Sequence, residues 1–187
     1  MTARKRWTAT LGAAVAGAGL MLGSHAPATA QPAQALSSQA VQVQRVTLRL
    51  ASDPGQVANV SGASQENGGR VIQWPLSHTN NERWEPEALS GGYYRFRAVH
   101  SGKCLNVKGG GTANDTRIIQ YTCGTADNEQ WKFASKGIGY QIVARSSGKC
   151  LNVRGGVGQG NALIQYTCTA NGAPNDVWLP VWETVTG

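Results

Sequence analysis

Three acidic residues recur at a constant interval in this sequence. Glu82, Glu129 and Asp176 lie 47 residues apart in succession, and a tryptophan follows each of them two positions later. Two carboxylates held close together are the usual apparatus of acid–base hydrolysis. One carboxylate in each copy of a regular repeat would instead keep the three groups apart. We therefore expect these residues to have a structural hydrogen-bonding role, and we predict no catalytic residues and no enzymatic activity.

The four cysteines follow the same repeat. Cys104 and Cys123 are 19 positions apart, and Cys150 and Cys168 are 18 apart, at equivalent places. An even cysteine count in a secreted chain implies disulfides, and of the three possible connectivities the repeat selects 104–123 and 150–168. The competing use of cysteine is a metal site. Because the spacing lacks paired Cys-x-x-Cys motifs, we predict no metal site and no cofactor.

Two further features have no chemistry assigned to them. His78 and His100 have no obvious Ser, Cys or acidic partner in the sequence, and we interpret them as loop residues. Gly109-Gly110-Gly111 is not followed by Lys-Ser or Lys-Thr, so it does not match a phosphate-binding loop.

All these residues belong to a repeat of about 47 residues. Each copy has a short apolar strand, a Gly-rich turn, a second apolar strand that ends in an aromatic residue, and a polar loop that leads to a tryptophan. A fixed period of this length indicates a repeat architecture. The three copies of this core unit are residues 56–84, 102–131 and 148–178, which end in Trp84, Trp131 and Trp178.

The pattern predicts an all-β fold. Short apolar runs separated by Gly, Asn, Asp, Ser and Thr indicate many short strands, four in each repeat and twelve in all. A four-bladed propeller would need another copy, and an open solenoid would leave its ends unprotected. Three repeats around a pseudo-threefold axis can close a barrel with hairpins over one end and share one core. We expect the three terminal tryptophans to lie in that core.

The N-terminal residues resemble a secretion signal. A positive start, Arg4-Lys5-Arg6, precedes a small and apolar run, and Ala28-Thr29-Ala30 matches a small-x-small cleavage site. We therefore expect residues 1–30 to be a signal peptide, residues 31–45 a flexible leader and residues 46–187 the folded domain. The protein is predicted to be secreted and extracellular, without stable membrane insertion after cleavage.

The charge of the chain gives little guidance to its partners. The whole sequence has a formal net charge of +7, and residues 31–187 retain 14 basic and 10 acidic residues, a net charge of +4. This modest excess favours acidic partners only weakly. We predict no nucleic-acid partner, and we expect a monomer.

Residues 46–183 resemble the ricin B-chain-type lectin family. The resemblance is carried by the Cys-Leu-Asn-Val strand, the aromatic residue that closes the next strand, and the Asn-x-x-Trp that ends each unit. The usual Gln-x-Trp signature of the family has Glu82, Glu129 or Asp176 at its Gln position here. The resemblance implies a β-trefoil of three repeats of about 47 residues. It also implies a non-enzymatic domain that binds galactose, xylose-containing or other glycans in shallow pockets, up to one per repeat.

The family's binding residues can be transferred position by position. In the family, an acidic residue of the first strand accepts hydrogen bonds from sugar hydroxyls, the aromatic residue stacks on the sugar ring, and an Asn adds a further polar contact. The implied carbohydrate-binding residues are Asn59, Trp74 and Asn81 in the first repeat, Asn106, Tyr121 and Asn128 in the second, and Asn152, Tyr166 and Asn175 in the third.

This chain departs from the family at the acidic position, where all three repeats have Asn. An amide can hydrogen-bond a hydroxyl, but more weakly than a carboxylate. The aromatic residues could also simply pack, and the Asn residues could satisfy backbone groups of turns. A second reading therefore stays open, in which the trefoil is a scaffold binding protein or inhibitor with vestigial sugar pockets.

We expect the second repeat to hold the principal pocket. Its disulfide should fix the strand of Asn106 relative to the strand of Tyr121, whereas the first repeat has no disulfide. In the third repeat, two additional residues between Tyr166 and Asn175 are expected to displace the amide of Asn175.

Overall fold

The computed structural model of the protein describes residues 42–186. The predicted signal peptide and residues 31–41 of the predicted leader lie outside this range. The described residues form strands, turns and single-turn 3-10 helices, and no helix among them is long and apolar enough to cross a membrane. The strands are β1 (Gln42–Leu50), β2 (Gln56–Val60), β3 (Val71–Pro75), β4 (Trp84–Ala88), β5 (Tyr94–Ala98), β6 (Cys104–Val107), β7 (Thr116–Tyr121), β8 (Trp131–Lys136), β9 (Gly139–Ala144), β10 (Cys150–Val153), β11 (Leu163–Tyr166) and β12 (Trp178–Thr186).

Six of these strands close a barrel. Strand β1 pairs with β4, β4 with β5, β5 with β8, β8 with β9, β9 with β12, and β12 returns to β1. All of these pairings are antiparallel. Closure leaves no unpaired edge in the ring, which removes the exposed hydrogen-bonding groups of an open sheet.

The other six strands form three hairpins, β2–β3, β6–β7 and β10–β11. The hairpins also contact each other, since β7 pairs with β11 and single bridges join Arg70 to Ile119 and Ile72 to Ala162. The hairpins therefore form a triangular cap on the barrel. This arrangement of twelve strands is a β-trefoil, as the sequence predicts.

The core follows the threefold repeat. Trp84, Trp131 and Trp178 are fully buried, and their indole N–H groups donate to main-chain carbonyls of β2, β6 and β10. The prediction that these tryptophans are core residues is confirmed. The barrel strands and the hairpins add apolar side chains in sets of three, such as Leu48, Phe96 and Ile142, and Val60, Val107 and Val153.

Strand β1 begins earlier than the sequence indicated. Gln42 already pairs with Thr186, four residues before the predicted domain start at Val46. The β1–β12 ladder runs over nine residue pairs, to Leu50 opposite Trp178. The sequence does not predict this part of the strand, because its Gln residues are polar. They are in a strand because their main chain pairs with β12.

Candidate functional site

The second repeat shows how the hairpin positions its candidate binding residues. In the β6–β7 ladder Asn106 lies opposite Ile119, and Cys104 lies opposite Tyr121. Because successive side chains of a strand point to opposite faces, these four residues share the outer face of the hairpin. Gln120 points to the other face, as predicted. The register therefore places an amide and an aromatic ring side by side.

The aromatic residues of the three sites are exposed, in contrast to the core tryptophans. Tyr121 is 47% exposed, Tyr166 45% and Trp74 39%. Tyr121 and Tyr166 end the second strand of their hairpins, and Trp74 is the last residue but one of β3, so the three rings are not covered by the barrel. Exposed aromatic faces of this kind can stack on an apolar face of a ligand.

An amide pair recurs in all three repeats with the same geometry. Asn128 Nδ2 donates to Asn106 Oδ1 at 3.0 Å and to the Val107 carbonyl at 3.0 Å. The corresponding bonds, of 2.9 to 3.0 Å, join Asn81 to Asn59 and Val60, and Asn175 to Asn152 and Val153. The structure thus brings the two Asn residues of every repeat together, and their first role is to tie the hairpin to the loop that follows.

The predicted displacement of Asn175 is wrong. Its amide donates to Asn152 Oδ1 at 3.0 Å, as in the second repeat. The additional residues of the third loop are accommodated in the turn at Ala170 and Asn171, before Asn175 is reached.

The first repeat differs from the second and the third in the amide atoms that it leaves unused. In the first repeat Asn59 Nδ2 lies 3.4 Å from Glu82 Oε2, and Asn81 Oδ1 accepts from Thr79 Oγ1 at 2.6 Å. In the second repeat Asn106 Nδ2 and Asn128 Oδ1 have no hydrogen-bond partner among the described residues. Neither atom is among the fully buried polar atoms without a partner, so both are accessible. The second repeat therefore offers a free donor beside a free acceptor, which suits a sugar hydroxyl.

Concave surfaces lie over the first two sites. The cavity of the first repeat has a volume of about 350 Å³ and is lined by Asn59, Ile72, Trp74 and Asn81, among others. The cavity of the second repeat is larger, about 550 Å³. Its lining includes Asn106, Lys108, Ile119, Tyr121 and Asn128 together with Asn67 and Gly68 of the preceding repeat.

The disulfides are in the predicted places. Cys104 bonds to Cys123, and Cys150 bonds to Cys168. The first of them joins the start of β6 to the segment just after Tyr121. It therefore fixes the strand that carries Asn106 relative to the end of the strand that carries the aromatic ring.

The three recurring carboxylates are structural. Glu82, Glu129 and Asp176 are buried, and each accepts hydrogen bonds from main-chain N–H groups of its own loop. Asp176 also accepts from the Thr169 hydroxyl at 2.7 Å. Their lone pairs are used to shape the loops that carry the amide pairs, so the expected hydrogen-bonding role is confirmed. Across the described residues no group of three potential metal ligands occurs.

Sequence reasoning missed the role of three buried glutamines that hold neighbouring repeats together. Gln120 Nε2 donates to the carbonyls of Ser64 and Glu66 in the first repeat, at 2.6 and 3.0 Å. Gln165 donates in the same way to Gly111 and Ala113 of the second repeat, and Gln73 Oε1 accepts from Gly158 N of the third. The available signal was the recurrence of Gln just before each aromatic residue, at intervals of 47 and 45.

A second contact between repeats forms one wall of the second cavity. Asn67 Oδ1 accepts from Thr122 N at 2.8 Å and from Thr122 Oγ1 at 3.1 Å. Asn114 makes the same pair of bonds with Thr167 in the third repeat. Each of these two sites is therefore built from its own repeat and from the loop of the preceding one.

Comparison with known proteins agrees with this architecture. Residues 18–121 and 127–186 match the family described as ricin-type beta-trefoil lectin domain-like. No curated protein matches the chain. The chain belongs to the ricin-type β-trefoil lectin domain-like family. Membership of this family supports carbohydrate binding as the general function of the domain.

Solved structures with the same fold include a designed protein, an enzyme and a lectin. The designed threefold-symmetric protein ThreeFoil is 34% identical over 73% of this chain and 97% of its own, with a TM-score of 0.69. An exo-β-1,3-galactanase from Clostridium thermocellum is 30% identical, with a TM-score of 0.68, over 74% of this chain but only 30% of its own. The Polyporus squamosus lectin, solved with a sialylated glycan epitope, is 16% identical over 74% of this chain and 48% of its own, with a TM-score of 0.64, and shows the fold alone.

Proposed function

We propose that this protein is a secreted, non-enzymatic lectin with up to three shallow glycan pockets, one per repeat, and that the pocket of the second repeat is the principal site. The observation that carries this proposal is the combination of an exposed ring, a free amide donor and a free amide acceptor around one cavity. The ring belongs to Tyr121, the donor is Asn106 Nδ2 and the acceptor is Asn128 Oδ1.

The chemistry of a pyranose matches these groups. The C–H face of the sugar ring stacks on Tyr121, while one hydroxyl accepts from Asn106 and another donates to Asn128. Ile119 provides an apolar floor between the two strands. The neutral ligands that we propose are galactose- or xylose-containing polysaccharides. Binding at several weak pockets on a polymer would add avidity.

The proposal that the protein is non-enzymatic rests on the use of its carboxylates. Glu82, Glu129 and Asp176 are committed to hydrogen bonds within their own loops and lie one in each repeat. The galactanase is an enzyme, but this chain spans only 30% of its length, and the proposal does not carry its activity over to this protein.

Secretion and a monomeric state are part of the same proposal. The N-terminal pattern of the sequence favours export, and two disulfides are typical of proteins in an oxidising compartment. Within residues 42–186 the barrel closes on itself, so the fold needs no second copy to pair its strands.

A glycan array, followed by pull-down with galactan and xylan, tests the function. The purified protein is expected to bind at least one glycan, and binding should be lost in a Tyr121→Ala/Tyr166→Ala/Trp74→Ala triple variant. Hydrolysis products should not accumulate on prolonged incubation with a bound polysaccharide. Failure on every glycan would contradict the proposal.

The alternative function is that of a scaffold binding protein or inhibitor with vestigial sugar pockets. The observation in its favour is that the first repeat has already used its amide atoms in bonds to Glu82 and Thr79. A protein partner captured by both the wild type and the triple aromatic variant, with no glycan bound by either, would support this alternative.

A further inference from the structure

The residue after Val107 and Val153 is basic in two repeats but is neutralised in only one of them. Arg154 follows β10, and its Nε lies 2.6 Å from Asp115 Oδ1. The guanidinium also donates to the Asp115 carbonyl at 3.3 Å. Lys108 occupies the same place after β6 and lines the second cavity. Its environment differs because the preceding repeat has no acidic residue at the matching position.

The position that matches Asp115 is Gly68. Gly68 N donates to the Gln120 carbonyl at 2.9 Å, as Asp115 N donates to the Gln165 carbonyl at 3.0 Å. Both residues have a positive φ, 86° for Gly68 and 68° for Asp115. The main chain at Gly68 therefore resembles that at Asp115, and the side-chain carboxylate at this position is missing in the first loop.

Lys108 consequently has no counter-ion within the part of the chain that the structure describes. Among residues 42–186 no carboxylate oxygen lies within ion-pairing distance of its ammonium group. Glu129 also lines the cavity, but its side chain is 3% exposed and its Oε1 accepts from Gly124 N at 2.7 Å. Arg95 lies 3.5 Å from the same oxygen and offsets its charge. The rim of the second cavity thus has one exposed positive charge that no described residue pairs with.

We infer that the second pocket prefers a glycan with a carboxylate, such as a uronic acid residue, over the corresponding neutral sugar. The inference rests on the proposed function, because the sugar ring must occupy the Tyr121 pocket. Lys108 then binds the carboxylate beside the pocket through a charge-assisted hydrogen bond. Arg154 in the third repeat is occupied by Asp115, so the preference belongs to the second repeat alone.

Oligogalacturonide and its methyl ester are matched probes, because esterification removes the charge of the carboxyl group and adds only a methyl group. Isothermal titration of the wild type at low ionic strength should show two- to fivefold tighter binding of the acid, the range expected of a solvent-exposed ion pair. Added salt should remove this difference. Lys108→Gln should remove it as well, because the acid then loses its ionic partner and binds no more tightly than the ester.

Gly68→Asp is the sharper test. A Cβ at Gly68 meets no atom within 4 Å, and Asp115 shows that the loop accepts Asp in this conformation. The new carboxylate should pair with Lys108 and abolish the preference for the acid, whereas Gly68→Asn, a neutral control of equal size, should retain it. Asp115→Asn is the converse variant and should give the third repeat a preference for the acid.

The outcomes separate this inference from the proposed function. Equal binding of acid and ester by the wild type at low salt would overturn the inference and leave the lectin function standing. Equal losses in Gly68→Asp and Gly68→Asn would also overturn it, because the effect would then come from the backbone. If neither these probes nor any neutral glycan binds, the lectin function fails too.

Discussion

Asn128 donates its side-chain amide to Oδ1 of Asn106 at 3.0 Å, and this bond joins the loop before β8 to the outer face of the β6–β7 hairpin. The same bond in the other repeats shows that it belongs to the fold. The amides that the family resemblance assigns to sugar binding are thus structural residues as well. The second repeat differs from the first because one amide donor and one amide acceptor of its Asn pair make no other hydrogen bond within the described protein.

Replacing Tyr121 with alanine should weaken glycan binding without unfolding the domain. The ring is 47% exposed, so its loss removes a stacking surface and little core packing. We expect a loss of about 1–3 kcal/mol in binding free energy, as for other aromatic anchors. Isothermal titration with a bound glycan measures it, and thermal unfolding checks the fold. Tyr166→Ala is the matched control in the third repeat. Binding by Tyr121→Ala at wild-type strength would show that the second pocket is not the principal site.

Replacing Asn106 with aspartate should preserve or raise affinity for a neutral glycan, by up to about 1 kcal/mol. The carboxylate still accepts from Asn128 and offers a charge-assisted acceptor to a sugar hydroxyl. The affinity of Asn106→Asp for an acidic glycan should fall, because the new side-chain carboxylate and the carboxylate of the glycan repel each other. Titration of both ligands into Asn106→Asp and Asn106→Ala tests this. A loss of neutral-glycan affinity as large in the aspartate variant as in the alanine variant would contradict recognition through hydroxyl groups.

Replacing Gln120 with alanine should destabilise the domain. Its Nε2 donates to two carbonyls of the first repeat, and its Oε1 accepts from Ser101 Oγ at 2.7 Å. Truncation leaves these groups without their partner at a partly buried site, which costs about 1–3 kcal/mol of the free energy of unfolding. Urea denaturation measures the loss. Gln159→Ala, at an exposed position, is the control and should unfold like the wild type. Equal stability of the two variants would refute the bridging role of Gln120.

Glu87 should make the stability of the barrel sensitive to acid. Burial acts to raise the pKa of Glu87, but hydrogen bonds from Arg95 and Arg97, with Nε–O distances of 2.9 and 2.8 Å, outweigh it and hold the pKa below its ordinary value. The contribution of Glu87 to the free energy of unfolding is therefore complete above the ordinary glutamate pKa. It is lost as the pH falls through the lower pKa of the folded state.

Urea denaturation between about pH 6 and pH 3 tests this prediction. The free energy of unfolding of Glu87→Gln should fall less over this range than that of the wild type. Glu66→Gln removes an exposed carboxylate that has no ion pair within the described chain, and it serves as the control. Parallel pH profiles for the wild type and Glu87→Gln would count against the assignment.

Much of the fold could be predicted because the repeating residues are ones whose burial or pairing follows from their residue type and their place in the repeat. Trp84, Trp131 and Trp178 recur with the period and are apolar, so their place in the core follows directly. The pairing of Cys104 with Cys123 follows because both belong to one repeat. The start of β1 was less predictable, since Gln42 and Gln44 owe their strand conformation to pairing with β12, which is distant in sequence.

The candidate site could be predicted only in part, because its second wall comes from a neighbouring repeat. The spacing brings Asn106 and Tyr121 to one hairpin and Asn128 to the loop after it, but it does not show that Asn67 and Gly68 lie beside them. Gln120 binds main-chain carbonyls, which any residue type supplies, so the sequence of its partner loop gives no signal. Asn175 keeps its place because the loop absorbs its additional residues in a turn, which spacing alone does not reveal.

The ladder between β1 and β12 determines how the domain bears a mechanical load. Gln42 lies opposite Thr186, so tension applied at both ends of the described chain acts on one end of the ladder. The hydrogen bonds then open one after another, as in unzipping, and do not share the load as they would in shear. The hairpin cap follows the other end of β1, beyond Leu50. A domain pulled by both ends of its chain would therefore yield along this seam before its cap deforms.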